Sequence, residues 1–475
     1  MNNTKSSEPN PNTSASCIAI ILAGGKSTRM RSNIPKPLHP ICGRPLSRHV
    51  IDTCREAGVD RTVLIVGYQA DAVRSGIGED VEYVLQTEQK GSGDAARSAE
   101  VLLKDYKGDV LVIAGDVPLI TGKTLRRLID HHRKSRAVAT MVTMVLPDPT
   151  NYGRIIRDSK KQITGIVEQK DGTPEQLSIC ECNPSIYCFH SPKLFEALGE
   201  IQPNNNQGEY YITDVIGVLV RKGDIVETIQ TDDIVEIMNV NNRVELAEAG
   251  RLLRERILRR HMLDGVTIVD PATTFIDKDV KIGQDTVIEP GSMILGCSVV
   301  GEKCTIGPNT KIVDSSIGDE CLIHYSLVSS SKIHNHVKIG PFSNIRPNCE
   351  LMDNVKVGDY VEIKNSTLHE FVSASHLTYL GDSEIGEATN IGAGTVTCNY
   401  DGVRKHRTVI GDHCFIGTHS TLIAPITIGP GAFIAAASPV NEDIPEDAMA
   451  IARCRPVVKR DWAKKRREIY FKNKP

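Results

Sequence analysis

The stretch FIDKDVKIGQDTVIEPGSMILGCSVVGEKCTIGPNTKIV (275–313) carries an aliphatic residue at every sixth position: Ile276, Ile282, Ile288, Ile294, Val300, Ile306 and Ile312. A second run reads Ile333, Ile339, Ile345, Leu351, Val357 and Ile363. A third reads Ile410, Ile416, Leu422, Ile428, Ile434 and Val440, with Ile385 and Ile391 as a fragment between the two. A period of six fits neither the 3.6 of a helix nor a hairpin meander, and it is the pattern of a parallel β-helix. Each hexad supplies one short strand and one corner, so three hexads complete a triangular coil. The aliphatic residue points into the prism, and the glycine that often follows it (283, 301, 340, 358, 392) relieves crowding at the turn. Two segments, 364–384 and 393–409, interrupt the ladder, and interruptions in a repeat protein often form its working face.

Ahead of the repeats the pattern changes. Strand-like runs at Ile18 to Leu22, Thr62 to Val66, Val81 to Leu85, Val110 to Ile113 and Ala137 to Val145 alternate with helical stretches such as Arg48 to Ala57 and Gly122 to Ser135. That alternation predicts an α/β domain with a largely parallel sheet covered by helices on both faces. Between the halves, residues 242–262 carry a helical period with mixed charge and read as a connecting helix.

Whole-chain properties narrow the function classes. At 475 residues two domains are expected. A formal charge of −3 gives no reason to expect nucleic-acid or membrane binding. No apolar run has membrane-span length and none stands at the start like a signal peptide. Met1 to Ser16 are polar and predicted disordered. The thirteen cysteines are scattered without zinc-site spacing, so buried thiols in a reducing cytoplasm are expected, with metal binding the minor alternative.

The first strand runs into Leu22-Ala23-Gly24-Gly25-Lys26-Ser27-Thr28-Arg29-Met30. Glycines there let backbone N–H groups turn toward a phosphate, and open α/β sheets bind ligands beyond the carboxyl ends of their strands. A Walker A loop is excluded because its first glycine would fall on Ile20, and no GxGxxG is present. The pattern L-A-G-G-x-S-T-R-M followed by Pro35-Lys36-Pro37 instead resembles the signature of sugar-phosphate nucleotidyltransferases. Arg29 and Lys36 are cations suited to bringing two phosphates together. Further along come Gln86, Gly91-Ser92-Gly93, Ala114-Gly115-Asp116, Asn151-Tyr152-Gly153-Arg154, Glu168, Gln207 to Asp214 and Asn239 to Arg243. A carboxylate at a strand's C-terminal end, as at Asp116, is well placed to hold Mg²⁺ against phosphates.

This ordered set, joined to a hexad β-helix, resembles the family of bifunctional bacterial N-acetylglucosamine-1-phosphate uridylyltransferases/glucosamine-1-phosphate N-acetyltransferases, over essentially everything after Ser16. The resemblance implies a Rossmann-like nucleotidyltransferase domain at 17–243, a linker helix at 244–264 and a left-handed parallel β-helix acetyltransferase domain at 265–475. Leu22, Ala23, Gly24, Gly25, Arg29, Lys36, Gln86, Gly91, Ser92, Ala114 and Gly115 would contact UTP. Gly153, Glu168 and Asn183 would contact the sugar, and Asp116 and Asn241 would bind Mg²⁺. Several residues depart from the family pattern: Gly24 replaces alanine, Asp94 replaces histidine after Gly91-Ser92-Gly93, Ala114 replaces tyrosine, and Asn183-Pro184-Ser185 replaces Asn-Thr-Gly.

In the β-helix the same resemblance makes His376, in Ser375-His376-Leu377-Thr378-Tyr379, the general base. An amine attacks only when unprotonated, which suits imidazole near neutral pH. Arg346, Lys364, Tyr379 and Asn390 would hold the sugar phosphate, and two cations and a phenol suit that ligand. Ala393, Asn399, Tyr400, Thr418, Ala436 and Arg453 map to acetyl-CoA, Thr418 keeping the hydroxyl of the usual serine. A basic tail from Pro456, with Trp462, reads as a surface arm. The implied enzyme is a cytoplasmic homotrimer that acetylates glucosamine 1-phosphate, then transfers UMP from UTP to the product, feeding peptidoglycan and lipopolysaccharide synthesis. Two other readings remain at this point: a single-activity nucleotidyltransferase with a regulatory β-helix, and a non-catalytic assembly protein of the same layout.

Overall fold

The sequence Cys17–Leu22 (CIAIIL) forms β1, whose first five residues are buried, as expected of a central strand covered on both faces. A computed structural model describes residues 17–26 and 28–472, so the expectation of disorder at 1–16 lies outside the described residues. Two compact units emerge, 1–254 and 255–475.

In the first unit, β2 (Pro40–Ile41) and β3 (Arg44–Pro45) form a small hairpin. The main sheet contains β1, β4 (Arg61–Val66), β5 (Glu82–Leu85), β6 (Asp109–Ala114), β7 (Ala139–Val145), β8 (Gly153–Arg157), β9 (Ile163–Val167), β10 (Glu181–Asn183), β11 (Ile186–His190) and β12 (Val226–Gln230). Its order is β5-β4-β1-β6-β11-β7-β10-β8-β9, with β12 also paired to β7. The β5-β4-β1-β6 half is parallel, which matches the expectation. Beyond β6 every pair except β7–β12 is antiparallel, so the sheet is mixed rather than largely parallel. The cause is local. Five residues join β8 to its partner β9, too few for the crossover that a parallel pair requires. Two separate clusters of buried aliphatics, one on each face, hold helices against the sheet.

A helix of 21 residues, Arg243–Leu263, contains the point where the two units divide. The second unit is a prism of three parallel sheets with eleven, ten and nine short strands. We call them faces I (Thr267–Ile268 to Met449–Ala450), II (Phe275–Ile276 to Pro439–Val440) and III (Lys281–Ile282 to Ile426–Ile428). Ile294, Ile312, Val328, Ile345, Ile363 and Leu380 stack inward on face II, and all are buried. Their sequence separations range from 16 to 18, because a corner can drop a residue without disturbing the ladder.

This corrects the expected interruption at 364–384. Thr367–Leu368, Ser373–His376 and Tyr379–Gly381 continue all three faces; shortened corners merely shift the hexad phase. The second interruption is a true insertion, confined to the residues between Val396–Cys398 and Thr408–Ile410 and closed by an antiparallel bridge from Tyr400 to Lys405.

Eight of the thirteen cysteines are buried, and all thirteen are free thiols. Among the described residues no helix is long and apolar enough to cross a membrane, and no cluster of three His, Cys, Asp or Glu is arranged to hold a metal. The tail forms an exposed helix, Trp462–Lys472.

Candidate active sites

Because β1 and β6 are parallel neighbours, the loops that leave their C-terminal ends open side by side. Gly115 N–H donates to Leu22 O at 2.9 Å, and Ser47 Oγ donates to Gly115 O at 2.7 Å, which ties both loops to the underlying helix. Leu22, Ala23, Gly25, Lys36, Ala114, Gly115 and Asp116 line a cavity of about 190 Å³. A wider groove of about 700 Å³ runs beside Lys123, Arg127 and Lys134, but it is open and none of the glycine loops reaches it.

Charge converges at the smaller cavity. Lys36 Nζ donates to the Asp116 carboxylate and, at 3.1 Å, to Asn241 Oδ1. Arg29 Nη2 donates to the same Asn241 oxygen at 3.0 Å, and Asn239 Nδ2 donates to Asp116 Oδ1 at 3.1 Å. Asn241 reaches Asp116 because Val240 N–H donates to Asp116 O at 2.9 Å. The two oxygens nominated as metal ligands therefore already bracket a positive charge, the Lys36 ammonium. A carboxylate and an amide oxygen are both hard donors, so the residues present fit a divalent cation.

Gly153 and Asn183 are register partners on β8 and β10. A side chain at 153 would stand 3.5 Å from both Glu168 carboxylate oxygens, so Glu168 closes the same spot. Burial pushes the Glu168 carboxyl up, only partly offset by a hydrogen bond from Thr213 Oγ1 at 3.0 Å. Asn183 Nδ2 donates to Tyr187 OH at 2.6 Å. Ser92 is differently engaged: its hydroxyl accepts from Ile212 N–H at 3.0 Å and holds the 207–214 segment. Gln86 sits behind Gly24, its amide donating to Gly91 O and Asp94.

The β-helix gathers its nominated residues on two neighbouring corners. At the corner between faces I and II, Asp359 and His376 are ladder partners. Backbone bonds carry the same column upward through Leu377 to Gly394, Ala393 to His419 and Thr418 to Ala437. Thus Ala393, Thr418 and Ala436 rise from His376 one coil at a time, and Arg453 follows the strand paired beyond them. His376 Nδ1 and Asp359 Oδ1 are 2.6 Å apart. That hydrogen bond holds the Asp359 carboxyl below its ordinary range.

At the corner between faces II and III, Arg346 donates to Ile363 O through its N–H and to Glu362 through its guanidinium at 2.7 Å. Lys364 pairs in register with Gly381. Gly381 has no side chain because the Tyr379 phenol occupies that space, with its oxygen 2.4 Å from where a Cβ would stand and Asn399 Nδ2 at 2.7 Å. Burial would raise Asp382, but hydrogen bonds from Asn365 and Asn399, with Lys364 and Lys405 nearby, bring it below the ordinary range. The Lys364 ammonium in turn pushes Lys405 down. Two lysines, an arginine and a phenol thus crowd one spot, as an anion site requires. Asn390 stands apart from this cluster, on face I between Ser373 and Phe415, and Tyr400 is exposed on the inserted loop.

Sequence reasoning missed Asp359 and Lys405, and gave Asn239 no role of its own within the 239–243 motif. Asp359 was legible in principle: it precedes His376 by one coil of the prism. Lys405 carried no signal, since its place depends on how the insertion folds back.

Comparison with known proteins matches residues 19–206 to a MobA-like NTP transferase domain, and residues 279–314 and 330–365 to bacterial transferase hexapeptide repeats. Curated relatives extend the match to nearly the whole chain. A protein of Geobacillus sp. (strain WCH70) named bifunctional protein GlmU is 46% identical over 94% of this chain and 97% of its own. Proteins of the same name from Brevibacillus brevis and Staphylococcus haemolyticus are 45% and 44% identical over 94% of this chain and 97% and 99% of theirs.

Proposed function

The chain belongs to the family of bifunctional GlmU proteins, and from that premise we propose that it makes UDP-N-acetylglucosamine in two steps at the two sites described. The β-helix acetylates glucosamine 1-phosphate from acetyl-CoA. The N-terminal unit then joins N-acetylglucosamine 1-phosphate to UTP and releases pyrophosphate. The observation that carries the reading is the Lys36 ammonium held between Asp116 and Asn241 at the C-terminal edge of a nucleotidyltransferase sheet.

In the uridylyl step a sugar-phosphate oxygen attacks the α-phosphorus of UTP and the bond to pyrophosphate breaks. Lys36 and Arg29 counter the repulsion between the two phosphates, while the glycine loop at 22–25 brings backbone close to them. Mg²⁺ bound to Asp116 and Asn241 would neutralise charge on the phosphoryl oxygens. Gly153, Glu168 and Asn183 orient the sugar.

In the acetyl step the amine attacks the thioester carbonyl, the C–N bond forms and the C–S bond breaks. His376 takes the amine proton through Nε2. Asp359 accepts from Nδ1–H and so fixes the tautomer that leaves Nε2 free. Arg346, Lys364, Tyr379 and Lys405 hold the phosphate, and the column from Ala393 to Ala436 receives the coenzyme. Incubating the protein with glucosamine 1-phosphate, acetyl-CoA, UTP and Mg²⁺, and omitting each in turn, tests the whole scheme. Acetylation must survive omission of UTP, and UDP-sugar must require every component.

Asp359 gives a sharper test. Asparagine at 359 can donate its amide to Nδ1, which stabilises the tautomer with Nε2 protonated. Asp359→Asn should therefore slow acetyl transfer roughly 10- to 1,000-fold, less than in a buried triad because the pair is largely exposed. Asp359→Ala, which imposes no tautomer, should be milder. Since its pKa is depressed, Asp359 stays ionised through the neutral range, and its contribution disappears only as pH falls through that lowered value. Equal rates for both variants and wild type would remove Asp359 from the mechanism.

The working assembly is a homotrimer in the cytoplasm. Supporting this, Tyr325, Phe342 and Tyr360 form an exposed stack of rings at the His376 corner, with centroids 5.7 and 5.4 Å apart. Such a stripe is suited to cover by another chain, and His376 itself is 64% exposed. Light scattering should give three times the 52.0 kDa chain mass. A monomer with full acetyltransferase activity would overturn the trimer as the working form.

A further inference from the structure

Two departures from the family's motifs meet at one side chain. Gln86 is buried and its amide nitrogen has two acceptors, Gly91 O at 3.2 Å and Asp94 Oδ2 at 2.7 Å. Both amide protons are therefore committed. Rotating the carboxamide by half a turn would press Oε1 against a carbonyl and a carboxylate, so this orientation is imposed rather than chosen. Oε1 is left aimed at Gly24, where a Cβ would lie 2.7 Å away. Alanine, the residue the family motif has at 24, would collide with it. Histidine, the motif residue at 94, has no carboxylate with which to draw the nitrogen away. Gly24 and Asp94 thus belong together: one opens the space that the other fills with a carbonyl oxygen.

We propose that Asp94 is a specificity-determining positioning residue, which locks Gln86 so that it presents only a hydrogen-bond acceptor beside Gly24 of the glycine loop. The inference rests on the uridylyl-site reading above, in which the loop and Gln86 receive the nucleotide. A fixed acceptor favours a base edge that carries an N–H, such as N3–H of uracil. It repels a base whose N3 carries a lone pair, as in cytosine. A mobile carboxamide would serve either by rotating. The aspartate stands in the first turn of helix Ser92–Ser98, with Lys90 and Arg97 lining the same small cavity, so its charge is locally supported although polyphosphate binds nearby.

The test compares kcat/KM for UTP and for CTP, at saturating N-acetylglucosamine 1-phosphate, in wild type, Asp94→Asn and Gln86→Met. Asparagine at 94 can accept or donate and so releases the carboxamide. The UTP/CTP ratio should fall roughly tenfold or more in Asp94→Asn, about what one directed hydrogen bond supplies. KM for the sugar phosphate should stay unchanged. Gln86→Met, which has no carbonyl to present, should lose the ratio to a similar extent. A merely structural aspartate would lower both activities together and leave the ratio intact, and that result in Asp94→Asn overturns the proposal. If that variant does not fold, an unaltered ratio in Gln86→Met overturns it equally. A wild type that turns over neither nucleotide would instead refute the underlying uridylyl-site reading.

Discussion

Asp116→Asn should reduce pyrophosphate release by about 100- to 1,000-fold or more while acetyl transfer continues at its normal rate. Asparagine keeps the shape of the side chain and the oxygen that accepts from Asn239 Nδ2. What it removes is the anion. Lys36 loses its charged partner, and a divalent cation loses the one carboxylate in its proposed donor set. Negative charge builds on the transferred phosphoryl group in the transition state, and loss of one directed electrostatic partner typically has this size of effect. The Lys36–Asp116 pair is mostly buried, so some loss of stability is also expected, and a thermal melt separates it from the catalytic effect. If the carboxylate is a ligand, its loss weakens the metal site, so raising Mg²⁺ should recover part of the activity of Asp116→Asn, and a defect that Mg²⁺ leaves unchanged would place Asp116 outside the donor set. Loss of both activities from a folded protein would show that the two sites are not independent.

Much of the architecture could be read directly because the physics repeats. Every inward position of the prism needs an aliphatic side chain, so Ile276 to Ile312 announce the coil six residues at a time. The corners are less constrained. A residue can be lost between Ile312 and Ile317, or between Ile363 and Leu368, without breaking the ladder, and the hexad phase then slips. That is why 364–384 looks like an interruption and is not one. In the first unit the alternation of strand and helix revealed the parallel half. The antiparallel half was hidden because β8 and β10 are short, and their residues, Gly153 and Asn183 among them, read as site motifs rather than strands.

The active sites divide the same way. Lys36, Asp116 and Asn241 are far apart in sequence, yet each stood out by motif and the fold brings them into hydrogen-bonding reach. Groups whose role depends on a partner's orientation left no such mark. Asp94 marked only a departure from the family motif, and its partner Gln86 donates to it across a turn that the motif does not describe. Asp359 belongs to no motif, and the ladder alone sets it beside His376.

His376→Ala should lower acetyl transfer by roughly 100- to 10,000-fold, the range of a positioned general base. Affinity for glucosamine 1-phosphate should change far less, because Arg346, Lys364, Tyr379 and Lys405 occupy a different corner of the prism from the imidazole. Uridylyl transfer from added N-acetylglucosamine 1-phosphate should be untouched. The defect should therefore appear in kcat for acetylation. It should also shrink as pH rises, because at higher pH more of the amine is free of its proton and hydroxide can take the proton that leaves. Combining His376→Ala with Asp359→Asn should add nothing to the loss, since Asp359 acts only through the imidazole it orients. If His376→Ala retained most of its rate, the amine would be losing its proton to water or to another group. His376 would then be an exposed corner residue held by Asp359, and the column from Ala393 to Ala436 would line a coenzyme path with no base at its foot.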